Sequence, residues 1–75
     1  QLAALFEWTE AEFLQRTEGS PIRRIGHERW QRNIVVALGN ALRAGADVRP
    51  FLQRHVEHPS GLVREHVLWA LGQGR

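Results

Sequence analysis

The chain contains no cysteine, no methionine and no tyrosine, and all ten of its basic residues are arginine, so lysine is missing too. Without cysteine it can build neither a disulfide framework nor a cysteine-ligated zinc or iron–sulfur site from its own residues. Its stability has to come from packing. No apolar run approaches the roughly 18 residues that mark a membrane-spanning helix, and no signal-peptide pattern opens the chain. Serine occurs only at positions 20 and 60, both suited to starting a helix, which argues against a nucleophilic role. No strand pattern precedes a glycine-rich segment, so a phosphate loop is not expected, and no paired carboxylates suggest a cleft. His55 and His58 stand three apart, with Glu65 and His66 across the next turn. A metal site needs ligands that converge in fixed geometry, and two histidines at the end of a short helix do not supply that. The expectation is therefore surface histidines, no metal and no catalytic residue within these residues.

What is present is one small helical domain. Its 75 residues leave room for a single modest core. The chain begins QLAALF rather than with methionine and is expected to be a soluble piece of a longer protein. Thr9 and Glu12 have capping-box spacing, and Trp8 with Phe13 fits a hydrophobic staple, so a helix is expected from about Glu10 to Glu18, stopping at Gly19. A longer helix is expected to start near Gly26 to Glu28, with Trp30, Ile34, Ala37, Leu38 and Ala41 at helical spacing. Asp47 is expected to cap a third helix carrying Val48, Phe51, Leu52 and Val56, with Pro50 tolerated in its first turn. Ser60 is expected to cap a fourth, running from about Leu62 to Leu71 and closed by Gly72.

Internal similarity organises these helices. RNIVVALGNA at 32–41 aligns with EHVLWALGQG at 65–74 at an offset of 33, and FLQR at 13–16 recurs at 51–54 at an offset of 38. The difference, 38 − 33 = 5, is the number of extra residues in the first unit, and they fall around IRRIG at 22–26. The resulting expectation is an all-α fold: a short HEAT-like α-solenoid of two helical hairpins, one over about 9–43 and one over about 47–73. Two units are fewer than such arrays usually need, so the domain should either cap a larger body or continue in one.

The charge pattern gives the functional candidates. Projected at about 100° per residue, the second helix places Arg29, Arg32, Asn33, Asn40 and Arg43 opposite its apolar arc, with Val36 and Gly39 among them and Glu28 at the margin. The inserted loop adds Arg23 and Arg24. Together these make an edge suited to phosphate contact. The competing reading is a solvated face, with Glu28–Arg32 and Glu12–Arg16 as helix-surface ion pairs, and an arginine-rich codon bias would give the same composition. Trp30 falls on the apolar arc and is expected in the core. The fourth helix is apolar around most of its circumference, which calls for neighbours on more than one side. Leu68 and Trp69 are the candidates for contact with a partner domain.

The segment LFEWTEAEFLQRTEGSPIRRIGHERWQRNIVVALGN, residues 5–40, resembles the C-terminal region of the bacterial epoxyqueuosine reductase family. The most specific parts are GSPIRR at 19–24 and RN…ALGN at 32–40, while PSGLVREHVLWALG fits the family's closing HEAT-like unit. Family members often carry lysine then arginine after SPI, where this chain has Arg23 and Arg24, a change that keeps the charge. The resemblance implies a cytoplasmic parent oxidoreductase, dependent on cobalamin and 4Fe–4S clusters, that acts on the wobble nucleoside of tRNA. The cofactor-binding residues would lie upstream of this segment. It implies that these residues form a helical-repeat domain that packs on the catalytic body and helps to hold tRNA near the anticodon. The alternative is a structural or protein-interaction cap that does not touch RNA.

Overall fold

The computed structural model describes residues 2–74. It is all-helical over these residues, with α1 at Leu2–Phe6, α2 at Glu10–Arg16, α3 at His27–Arg43, α4 at Arg49–Gln53 and α5 at Gly61–Gly72. A 3-10 turn at Pro21–Ile25 joins α2 to α3. None of the helices is long and apolar enough to cross a membrane.

The capping residues at two of these starts are those expected. Thr9 accepts from the Glu12 amide at 3.1 Å while Glu12 Oε1 accepts from the Thr9 amide at 2.9 Å, the reciprocal capping box of α2. Ser60 Oγ accepts from the Val63 amide at 3.1 Å and so caps α5. The start of α4 differs from expectation. Its N-cap is Val48, with no side-chain bond, and Asp47 is exposed. A cap at Asp47 would have to bond the amides two or three residues on, and one of those positions is Pro50, which has no N–H. The helix therefore begins late and ends early, leaving Val56 outside it and 37% exposed.

The long helix α3 organises the core. Phe6, Ile34, Val35, Leu38, Phe51, Leu52, Val63, Val67 and Ala70 form one buried cluster. The buried stripe of α3 is Gln31, Ile34, Val35, Leu38 and Gly39, turned toward Val35 and Gly39 relative to the arc expected from hydrophobicity alone. Gly39, expected on the polar arc, is buried because α5 crosses there. A Cβ on Gly39 would stand 2.7 Å from the Trp69 ring and 3.0 Å from the Ala70 Cα, so only glycine allows this approach. Trp30 is half-buried against the core. Its ring stacks on Trp8 at 5.1 Å and lies 4.9 Å from Phe13, so both residues of the expected staple rest on α3.

No capping or periodic signal marks α1, yet Phe6 is among the most buried side chains. Its ring meets Phe51 edge-on at 5.5 Å. Two side chains of α3 tie down the backbone after α1: Gln31 donates to the Phe6 carbonyl at 2.9 Å, and His27 Nε2 lies 2.8 Å from the Trp8 carbonyl oxygen.

Candidate nucleic-acid interface

The basic segment before α3 is held in shape by its own backbone. Ser20 Oγ accepts from the Ile22 amide at 3.2 Å, Pro21 supplies the restricted φ of a first turn, and Gly26 reverses direction with φ of +85°. Arg23 and Arg24 project from this turn and, with Gly19, Ser20 and Pro21, line an open recess. Both arginines are exposed. Along α3, Arg29, Asn33, Asn40 and Arg43 are exposed as well, while Arg32 is half-buried and donates its Nε–H to Asn33 Oδ1 at 2.8 Å. Arg29 and Arg43 are 14 residues apart, a separation of about 21 Å at 1.5 Å per residue.

Neither ion pair of the solvated-face reading is present. Glu28 accepts a hydrogen bond from the Ser60 hydroxyl at the start of α5, and Glu12 is engaged in the capping box. Arg16 instead lies over the Trp8 ring, 5.1 Å from its centre. Among the described residues no arginine forms an ion pair, and the side chains of Arg23, Arg24, Arg29 and Arg43 have no hydrogen-bonding partner there. Glu28, expected at the margin of the polar arc, is thus turned to α5 and does not neutralise the edge.

The polar stripe borders a groove between α3 and α5 lined by Val36, Glu65, His66 and Trp69. Sequence reasoning did not assemble this groove. The signal for it was available, since Val36 and Trp69 occupy the same repeat position at the offset of 33. Trp69 has a double role: part of its ring covers Gly39, and 41% of the residue remains exposed. Leu68, one residue earlier, is 61% exposed.

Two of the four histidines gather around Phe6. The rings of His55 and His58 lie 4.7 and 5.7 Å from the Phe6 ring centre, and His55 Nε2 is 3.5 Å from Glu7 Oε2. His58 Nδ1 accepts from the Ser60 amide at 3.0 Å, which requires that nitrogen to be unprotonated. Burial, reinforced by nearby His55, His27 and Arg64 and opposed by Glu28, holds the His58 pKa below the ordinary histidine value. His66, across the next turn in sequence, places its Nδ1 2.8 Å from the Leu62 carbonyl of its own helix. No group of three or more potential ligands is placed to hold a metal ion among the described residues.

Comparison with known proteins decides the family. The chain is 62% identical over 80 residues to the epoxyqueuosine reductase of Alicycliphilus denitrificans, covering 99% of this chain and 22% of that protein. It is 62% identical over 72 residues to that of Xanthomonas campestris pv. campestris, covering 96% of this chain and 20% of the relative. Over these residues the chain belongs to the epoxyqueuosine reductase family. The Escherichia coli epoxyqueuosine reductase matches at 52% over 73 residues, 97% of this chain and 19% of that protein. The matched region is the C-terminal part of the relatives, and the chain spans only about a fifth of their length. No protein-family profile matches the chain, and no solved structure is significantly similar to it. The donor set here does not fit an iron–sulfur cluster, because the chain lacks cysteine.

Proposed function

We propose that this domain is the accessory helical-repeat part of an epoxyqueuosine reductase and that its arginine edge helps to hold tRNA, near the anticodon, for a catalytic body formed by the rest of the protein. In that reading the reaction, an oxidoreductase step on the tRNA nucleoside, and the cobalamin and 4Fe–4S groups it uses belong to the part of the full-length protein that corresponds to the other four fifths of the relatives. The present residues supply affinity and position. Arginine suits this task because its planar fork of donors matches phosphate oxygens and stays charged at every working pH. Phosphate contacts orient a nucleic acid, while the site that performs chemistry reads the base. Arg23 and Arg24 in the recess and Arg29, Asn33, Asn40 and Arg43 along α3 are the contacts, with Arg32 a secondary one because Asn33 already engages it. Leu68 and Trp69 belong to the contact with the body.

The observation that supports this reading most directly is the absence of ion pairs at the edge. Four exposed arginines without a carboxylate partner leave their charge to act on a ligand.

The test is an amide-resolved NMR titration with the anticodon stem-loop of a queuosine-type tRNA at low and then moderate salt. Shifts confined to residues 22–43 and lost as salt rises are expected, since phosphate binding weakens with the counterions released. In the full-length protein, Arg23→Ala with Arg24→Ala should reduce the slope of log affinity against log salt by about 1 for each contact removed. An edge that stays silent at low salt would assign these arginines to the fold or to the body, and the domain to the structural role.

A further inference from the structure

We propose that the outer face of α5, formed by Arg64, Leu68 and Gly72, is a seat for an α-helix from the part of the same protein that lies outside residues 1–75. This rests on the reading that the chain is a segment of a longer epoxyqueuosine reductase, and not on RNA binding.

The internal repeat identifies the face. At the offset of 33, Gln31, Val35 and Gly39 of α3 correspond to Arg64, Leu68 and Gly72 of α5. On α3 all three are buried: Gln31 is 7% exposed and donates to the Phe6 carbonyl of α1, Val35 is 0% exposed, and Gly39 takes the close approach of Trp69 and Ala70 of α5. On α5 the equivalent positions are open. Leu68 is 61% exposed, Arg64 is exposed with its guanidinium turned back to donate to the His58 carbonyl at 2.8 Å, and a Cβ built on Gly72 has no neighbouring atom within 4 Å.

The opposite sides of the two helices obey the same register. Val63, Val67 and Ala70 of α5 are each 0% exposed and correspond to Trp30, Ile34 and Ala37 of α3, of which Trp30 receives Trp8 and Phe13. Each long helix therefore takes its predecessor on one side, and at Gly39 α3 takes its successor on the other. Repeat units bury their faces against their neighbours in this way, and a terminal unit needs a polar outer face. The centre of this outer face is a leucine.

Residues 73 and 74 do not cover it. A side chain at Gly74 would collide with Leu42 and Arg49, so the chain has turned back over the ends of α3 and α4. The occupant has to come from elsewhere in the protein, and the relatives, of which this chain spans 19 to 22%, show how much polypeptide that is. The element seated on the equivalent face of α3 is a helix, admitted by a glycine. Gly72 offers the same admission, which points to a helix as the occupant of α5.

Side-chain footprinting of the full-length protein without RNA, read by mass spectrometry at Leu68, tests this. Labelling of Leu68 several-fold slower than in the urea-unfolded protein is expected. The double variant Leu68→Arg, Gly72→Leu should increase the radius of gyration of the full-length protein in solution while Val35 stays protected from label. Labelling of wild-type Leu68 at the unfolded rate would overturn the proposal without any variant having to fold. Protection that depends on protein concentration would assign the face to a second copy, and protection that appears only when tRNA is added would assign it to RNA; either result overturns the helix seat. Loss of salt-sensitive RNA binding with Leu68 still protected would remove the arginine-edge reading alone.

Discussion

Helices α3 and α5 share an Ala-Leu-Gly core and a common register, yet they carry opposite burdens. In α3 the stripe through Val35 and Gly39 is closed by a neighbouring helix, whereas in α5 the matching stripe stays exposed at Leu68 and leaves room over Gly72. The same local sequence thus gives a packed seam in one place and an open surface in the other. Burial is decided by the next element, because an α-helix presents its stripe whether or not something arrives to cover it.

The strongest way to break the comparison is a buried charge. Val35→Asp would place a carboxylate in a fully enclosed site, a cost on the order of the several kcal/mol that hold a domain of this size together. Leu68→Asp in the same 75-residue chain should change stability by less than about 0.5 kcal/mol. Urea denaturation of the two variants side by side reads the difference. The glycines give a gentler version. Gly39→Val should cost about 1–3 kcal/mol through overpacking against Trp69 and Ala70, and Gly72→Val should stay within about 0.5 kcal/mol.

The seam also has a polar anchor, since Ser60 both caps α5 and bonds Glu28 of α3. Ser60→Ala is expected to lower stability by about 1 kcal/mol, as loss of an N-cap does, and Glu28→Gln by less; thermal melts separate the two.

His58 supplies a pH signature on the same side. Its pKa is lower in the folded chain than the ordinary histidine value, so below about pH 6.5 the unfolded chain binds more protons than the native one. Stability should therefore be unaffected by this residue at higher pH and decline as pH falls through that value. His58→Asn should flatten that part of the profile, measured as melting temperature against pH. The smallest effect is expected at the exposed edge: Arg29→Ala should leave the melt within about 0.5 kcal/mol of wild type, a result that marks Arg29 as free for a ligand and not part of the fold.

Several elements were legible without coordinates because their signals are local. Thr9 with Glu12 and Ser60 before its helix are satisfied by amides within one turn, so spacing is enough to find them. The long periodicity of α3 was likewise readable, and so were the exposed positions of Arg23, Arg24 and Arg29. The cap at Asp47 failed because Pro50 removes the amide it needed, a competition between two local rules. The helix α1 was missed because five residues carry too little pattern, and Phe6 is buried by partners that lie far along the chain.

By itself, the sequence determined an all-helical chain, its repeat register, the identity of two caps and the family resemblance, since all of these depend on residue type and spacing alone. The tertiary structure alone decided which side of each helix is covered. It moved Gly39 from the polar arc into the seam, drew Glu28 away from Arg32 to Ser60, and left room over Gly72 while closing its counterpart on α3. Those outcomes depend on which elements meet across the chain, and packing against a distant neighbour leaves no trace in local spacing.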